Sequence, residues 1–110
     1  MTTYSELLSS EAAGALAAQI QAANVETFIA ARNALVEANL RLVRASLSHF
    51  SGHYLYDDLL SEGRLALVEA AETWDPERGA FSTYAREAIR VKAYKIVKAE
   101  DRQDAIHGVL

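Results

Sequence analysis

The chain has 110 residues, 51% of them hydrophobic and 24% charged, with a net charge of −4 and no cysteine. That length suits one domain, and the composition excludes a disordered chain, a disulfide scaffold and any thiol chemistry, whether nucleophilic or metal-ligating. One proline and five glycines are too few for a turn-rich all-β protein, so the chain reads as all-α, a compact bundle of about four helices.

The first helix is expected over 4–22, where Leu7, Leu8, Ala12, Leu16, Ala17 and Ile20 recur at three-to-four spacing, with Ser9 or Ser10 a candidate cap before Glu11. Asn24 marks a break. Thr27 then precedes a long apolar stripe of Phe28, Ile29, Leu35, Val36, Leu40, Val43, Leu47 and Phe50, which predicts a second amphipathic helix over 25–50 ending at Ser51-Gly52. Asp57 and Asp58 are placed to cap a third helix, at the positive end of its dipole. Leu60, Leu67, Ala71 and Trp74 form one face of it, while Leu65 and Val68 fall on another. A helix apolar on two sides in so small a domain points to a partner on the second side.

A turn, Asp75-Pro76-Glu77-Arg78-Gly79, leads into the fourth helix, capped by Ser82 and running to about Lys98. Ala85, Ile89, Ala93, Ile96 and Val97 share its core face, and Tyr84, Ala88, Val91, Lys95 and Lys98 lie roughly opposite. That second face is either a binding face or a solvated basic one. Residues 100–110 are expected to fray. Charge is unevenly spread: five cations against Glu87 give +4 over 81–98, while seven acids and two arginines give −5 over 57–78. Adjacent elements of opposite sign serve two partners or pair with each other. Aromatics beside cations, as in Trp74, Phe81 and Tyr84, are what unpaired bases and a phosphate backbone require.

No constellation for catalysis stands out. There is no glycine-rich phosphate loop and no nucleophile–histidine–carboxylate spacing, so no enzymatic activity and no cofactor are expected. His49 and His53 stand four apart, as helical metal ligands can. Gly52 lies between them at an expected helix end, however, and they read as surface residues with no metal. The acids at 57–62 lack the alternating oxygen pattern of a calcium loop. No apolar run approaches the ~20 residues that cross a bilayer, and the N-terminus lacks the basic start and apolar core of a signal peptide. A cytoplasmic protein without a membrane partner is therefore expected.

Three blocks in order carry a family resemblance: Ala31-Arg32-Asn33-Ala34-Leu35-Val36-Glu37-Ala38-Asn39-Leu40-Arg41-Leu42-Val43, then Asp58-Leu59-Leu60-Ser61-Glu62-Gly63, then Asp75-Pro76-Glu77-Arg78-Gly79-Ala80-Phe81-Ser82-Thr83-Tyr84-Ala85. Their order and spacing resemble conserved region 2 of the bacterial RNA polymerase sigma subunits. The resemblance divides the chain into a segment at 1–30 like the helix of region 1.2, a region 2-like domain at 31–99, and the tail. It extends to no region 3 or 4, so the modules for the minus-thirty-five element and the polymerase flap are not expected from these residues.

The resemblance implies a helical module that docks on the clamp coiled coil of the largest subunit of core RNA polymerase and contacts the non-template single strand of the minus-ten promoter element. By position, the polymerase-binding residues would be Leu40, Val43, Asp58, Ser61, Glu62, Arg64 and Val68. The DNA-binding residues would be Asn39, Trp74, Asp75, Arg78, Phe81, Ser82, Thr83, Tyr84, Arg90 and Lys95, with an anti-sigma factor as a further candidate partner. The chain departs from the family where primary members carry two tryptophans after the tyrosine and then a base-reading glutamine: here stand Glu87, Ala88 and Val91. Ser61 replaces a polymerase-facing glutamine, and the loop before Phe81 is one residue shorter. These changes bear on promoter opening more than on docking. The alternative is therefore a polymerase-binding adaptor or inhibitor that keeps clamp docking and has lost promoter opening.

Overall fold

The structure, a computed structural model, describes the backbone of residues 10–22 and 24–109 and the side chains of 11–18 and 24–102. The described part is all-helical, with five α-helices: α1 (Ser10–Ala22), α2 (Val25–Ala38), α3 (Arg41–Ser46), α4 (Tyr56–Thr73) and α5 (Phe81–Val109). Short 3-10 turns at Ser48–Phe50 and Pro76–Arg78 join them. The part of the expected first helix before Ser10 lies outside the described residues. None of the described helices is long and apolar enough to cross a membrane.

The break at Asn24 is a helix cap. Its side-chain oxygen accepts from the Thr27 amide at 3.0 Å, satisfying one of the orphan N–H groups of α2. The long helix expected over 25–50 is instead interrupted twice, at Asn39 and at Leu47. Asn39 is the cause of the first break. Its side-chain amide donates to the Leu35 carbonyl at 2.8 Å while its backbone N–H turns to Val36, so the side chain competes for helical acceptors. The second break places a 3-10 turn before Gly52, so the regular helix has ended before the glycine expected to end it.

Two further caps differ from expectation. Helix α4 starts at Tyr56 without a side-chain cap, leaving Asp57 and Asp58 exposed inside its first turn. They still complement the dipole. The earlier start follows from packing, because Leu55 and Tyr56 are both held against the core. Likewise α5 starts at Phe81, which is buried, so Ser82 lies within the first turn and does not cap it. Past Lys98 the backbone of 100–109 continues as helix, where a frayed tail was expected.

Helices α4 and α5 make the main packing pair, α2 and α3 cover it, and α1 packs on α2 and against the Pro76–Arg78 turn. Leu35, Leu47, Leu59, Leu67 and Ile89 are fully buried at the centre. Ala13 and Ala17 of α1 belong to the same core, so the N-terminal helix is continuous with the rest of the packing. The face of α4 formed by Leu60, Leu67, Ala71 and Trp74 is buried; on the other face Leu65 is exposed and Val68 half-buried. Arg32 of α2 pairs with Glu72 of α4 at 3.0 Å, and Lys92 of α5 stands 3.9 Å from Glu62 of α4.

Gly63 is the point of closest helix approach. A Cβ there would stand 3.0 Å from Val43 Cγ1, 3.2 Å from Leu47 Cδ1 and 3.4 Å from Ile89 Cγ2, so α3, α4 and α5 converge on a missing side chain. Gly63→Val is expected to lower stability by about 1–3 kcal/mol through overpacking. Urea denaturation followed by circular dichroism checks it, and an unchanged midpoint would contradict this packing.

Candidate nucleic-acid interface

The corner between α4 and α5 is built around the chain's single tryptophan. Trp74 ends α4 in extended conformation and is only 5% exposed; Phe81 opens α5 and is 4% exposed. Their rings meet edge-to-face, 5.3 Å apart at 67°, a favoured aromatic geometry. The Trp74 indole Nε1–H donates to the Gly79 carbonyl at 3.1 Å, which ties the intervening turn back onto its own start. Within that turn the Asp75 carboxylate accepts from the Glu77 amide at 3.0 Å, and Pro76 opens the 3-10 helix. Gly79 sits at φ 127°, ψ −172°, a backbone region essentially reserved for glycine.

Outside this knot lies a cavity of about 580 Å³ lined by Thr73, Trp74, Asp75, Arg78, Gly79, Ala80, Thr83, Tyr84 and Glu87. It is within the size range of small-ligand sites. Tyr84 is 42% exposed and held from behind. The Thr73 hydroxyl donates to the Glu69 carbonyl at 2.9 Å, so at the 2.9 Å Thr73–Tyr84 contact the tyrosine hydroxyl is the donor. Arg78 is extended, with 87% of its side chain exposed and its Nε 3.8 Å from Asp75 Oδ2. The corner therefore offers one ring with an open face, one largely exposed guanidinium and several small polar groups around a concave apolar floor.

Of the expected DNA-contacting residues, Trp74, Asp75, Arg78, Thr83 and Tyr84 come together here. Phe81 does not reach the cavity; it supports Trp74 from below, and Trp74 is a wall of the cavity with almost no ring face free to stack. Burial is the reason in both cases, since the two rings satisfy each other. Asn39 is 3% exposed with its amide spent on the helix end, which makes it a structural residue. Ser82 is half-buried beside the site. Arg90 and Lys95 are both exposed but project about 140° apart around α5 at 100° per residue, so they do not form one patch.

The expected polymerase-binding residues are also divided. Leu40, Asp58, Ser61 and Arg64 are exposed, and Glu62 and Val68 half-buried, giving α4 an outward face that is acidic with an exposed Leu65 beside it. Val43 is buried at 2% and meets the chain's own Gly63. It shapes the surface from beneath. Sequence reasoning missed Thr73, Gly79 and Ala80. Thr73 joins Tyr84 across eleven positions and two elements, which no local pattern signals.

The histidines read as surface residues are at the other end of the fold. The His53 ring accepts from the Leu55 amide through Nδ1 at 3.1 Å and stacks on Tyr54, while His49 lies against Phe50. Among the described residues no group of three or more histidine or carboxylate side chains could hold a metal ion.

Residues 35–103 match the family model described as Sigma-70 region 2. The chain is 43% identical over 74 residues to the RNA polymerase sigma factor RpoS of Coxiella burnetii, covering 66% of this chain and 21% of that protein. It is 40% identical over 87 residues to the RNA polymerase sigma factor SigA of Listeria monocytogenes, and equally to that of Listeria innocua, covering 77% of this chain and 22% of each relative. The chain thus spans about a fifth of the length of the curated relatives it matches.

The knot and the cavity wall separate by their sensitivity to truncation. Phe81→Ala is expected to destabilise the fold by about 3–5 kcal/mol, while Tyr84→Phe, which removes one half-exposed hydrogen bond, costs at most about 1.5 kcal/mol. Thermal or urea unfolding of the two variants measures the difference. Equal losses would show that Phe81 does not support the corner.

Proposed function

The chain belongs to the Sigma-70 region 2 family, and on that premise we propose that it is a sigma-type transcription initiation protein, working in the cytoplasm, that docks on core RNA polymerase and holds promoter DNA at the α4–α5 corner. The observation that carries the reading is the concave site itself: a half-exposed Tyr84 and a largely exposed Arg78 over a rigid aromatic floor. Extruding a base from a duplex costs a few kcal/mol, and stacking returns about 1–3 kcal/mol per base. A floor that is already packed loses no entropy on receiving it. Asp75 and Thr83 offer an acceptor and a hydroxyl to a base edge, and Arg78 a cation to the adjoining phosphate, so binding weakens as salt rises.

Docking belongs to the outward face of α4, where Asp58, Ser61, Glu62, Arg64 and Val68 line the helix, together with Leu40, which is exposed at the start of α3. Its partner is the clamp coiled coil of the largest polymerase subunit. An acidic face with isolated exposed leucines suits a basic, amphipathic helical partner, with charge steering the encounter and apolar contact holding it. The acids on the outer face of α4 then serve polymerase, and the cations at the corner and along α5 serve DNA.

A second reading is favoured by one observation. Glu87 puts an acid on the wall of the cavity, which opposes a phosphate backbone and suits an adaptor that docks on polymerase without opening promoters. One experiment separates the two: fluorescence anisotropy of a single-stranded minus-ten oligomer (TATAAT) and of a scrambled one, with the chain alone and with core polymerase. Preference for the minus-ten oligomer is expected, and its loss together with co-purification is expected for the double variant Asp58→Lys, Glu62→Lys in the presence of polymerase. Equal affinity for both oligomers would leave the adaptor. Polymerase binding that survives the charge reversal would remove the assigned docking face.

A further inference from the structure

Two exposed apolar side chains, Tyr94 on α5 and Leu65 on α4, each sit within a charged stripe, and the two stripes are of opposite sign. On α5, Arg90 and Lys98 stand one turn either side of Tyr94, all three exposed and each about 40° from the next at 100° per residue. This stripe lies to one side of the seam between α4 and α5, where Lys92 and Lys95, with Ala66, Ala70, Ala88 and Val91, line a cavity of about 460 Å³ beside the corner. On α4, Asp58, Glu62, Leu65 and Glu69 fall within about 60° of arc, so acids flank the leucine on both sides. We propose that the two stripes bind each other between molecules: Leu65 of one copy of the chain packs on Tyr94 of the next, with Glu62 and Glu69 over Arg90 and Lys98.

Spacing, charge and rigidity all fit. At 1.5 Å per residue Arg90 and Lys98 are about 12 Å apart along α5, and Glu62 and Glu69 about 10.5 Å apart along α4, so two facing helices bring both pairs together. Arg90, Lys98 and Glu69 enter none of the ion pairs among the described residues, and Glu62 meets Lys92 only at 3.9 Å. The side that carries Tyr94 is uniformly basic: residues 40–56 hold two cations, residues 88–99 hold four, and neither stretch has an acid. Tyr94 is also held in place. Its ring meets Phe50 edge-to-face at 5.7 Å and 75°, and His49 lies 6.3 Å away. A fixed aromatic with half its surface open loses little freedom on being covered, the character of an interface anchor. A phosphate backbone would take the cations and leave Tyr94 uncovered. An acidic helix with a leucine between its carboxylates covers both, and the chain's own α4 is such a helix. The two faces differ, so the contact runs head to tail and leaves one of each open at the ends of an assembly. On the reading above, it also occupies the α4 face meant for polymerase, so the associated chain is held in reserve.

The test is sedimentation velocity of the full chain from about 10 μM to about 1 mM, a range that spans weak contacts. The native chain should gain mass with concentration and lose that gain at about 0.5 M salt, where exposed charges are screened. Two variants break one face each: Leu65→Ser with Glu69→Lys, and Tyr94→Ser with Lys98→Glu. Each alone should stay monomeric. Their equimolar mixture should form a one-to-one dimer and nothing larger, because one variant keeps only the Tyr94 face and the other only the Leu65 face. A native chain that is monomeric throughout would overturn the contact and leave both faces to other molecules. Self-association of either variant alone, or a mixture that stays monomeric while the native chain associates, would overturn the head-to-tail pairing. If circular dichroism shows either double variant misfolded, the single exposed charge changes Glu69→Lys and Lys98→Glu give the same mixing test.

Discussion

The edge-to-face contact of Trp74 and Phe81, closed by the indole hydrogen bond to Gly79, determines what the rest of the corner can do. It joins the residue that caps the end of α4 to the first of α5, so the angle between the two longest helices is fixed by apolar burial at the turn itself. A loop alone would leave that angle to conformational entropy. Such an aromatic pair adds about 0.5–1.5 kcal/mol beyond its burial, and the indole N–H, which would be costly to bury unpaired, is satisfied by the turn it encloses. The same contact removes both rings from solvent. The stacking surface then falls to Tyr84, one turn into α5 and anchored through Thr73 to α4.

This arrangement separates two surfaces of different character within one helical pair. The outer face of α4 is acidic and exposed at Asp58, Ser61 and Leu65, while the corner and seam carry the open aromatic ring and the cations. Gly63 connects the two by letting α3, α4 and α5 approach closely behind the outer face of α4, the proposed docking face. A partner pressing on α4 therefore bears on helices that also shape the seam. Rigid helices and packed cores transmit such displacements as units.

The helical class and the family were legible in the residues, because the 3.6-residue stripes and the three ordered blocks are local patterns. The pocket was legible as a set of residue types, and the roles within it were not. Trp74 and Phe81 belong to the right neighbourhood, but burial depends on which ring the fold turns inward, and aromatic type says nothing about that. Asn39 shows the same limit: a polar residue beside an apolar stripe can face a ligand or tie off a helix, and only its 2.8 Å bond to Leu35 decides. Capping by Asp57, Asp58 and Ser82 failed as a guide because Leu55, Tyr56 and Phe81 extend their helices by burying themselves. The seam was half visible, since Tyr84, Ala88, Val91 and Lys95 share a helical face, but its other wall comes from Ala66 and Ala70 on a different helix.

The central claim, that one small domain uses α4 for polymerase and the α4–α5 corner for DNA, is tested most directly by hydrogen–deuterium exchange of the chain in two steps. Core polymerase is added first, then a minus-ten fork. The account predicts that polymerase slows exchange over 56–68 and that DNA adds protection over 73–92 without releasing the first. Protection by polymerase outside α4, or DNA protection that leaves 73–92 unchanged, would contradict it.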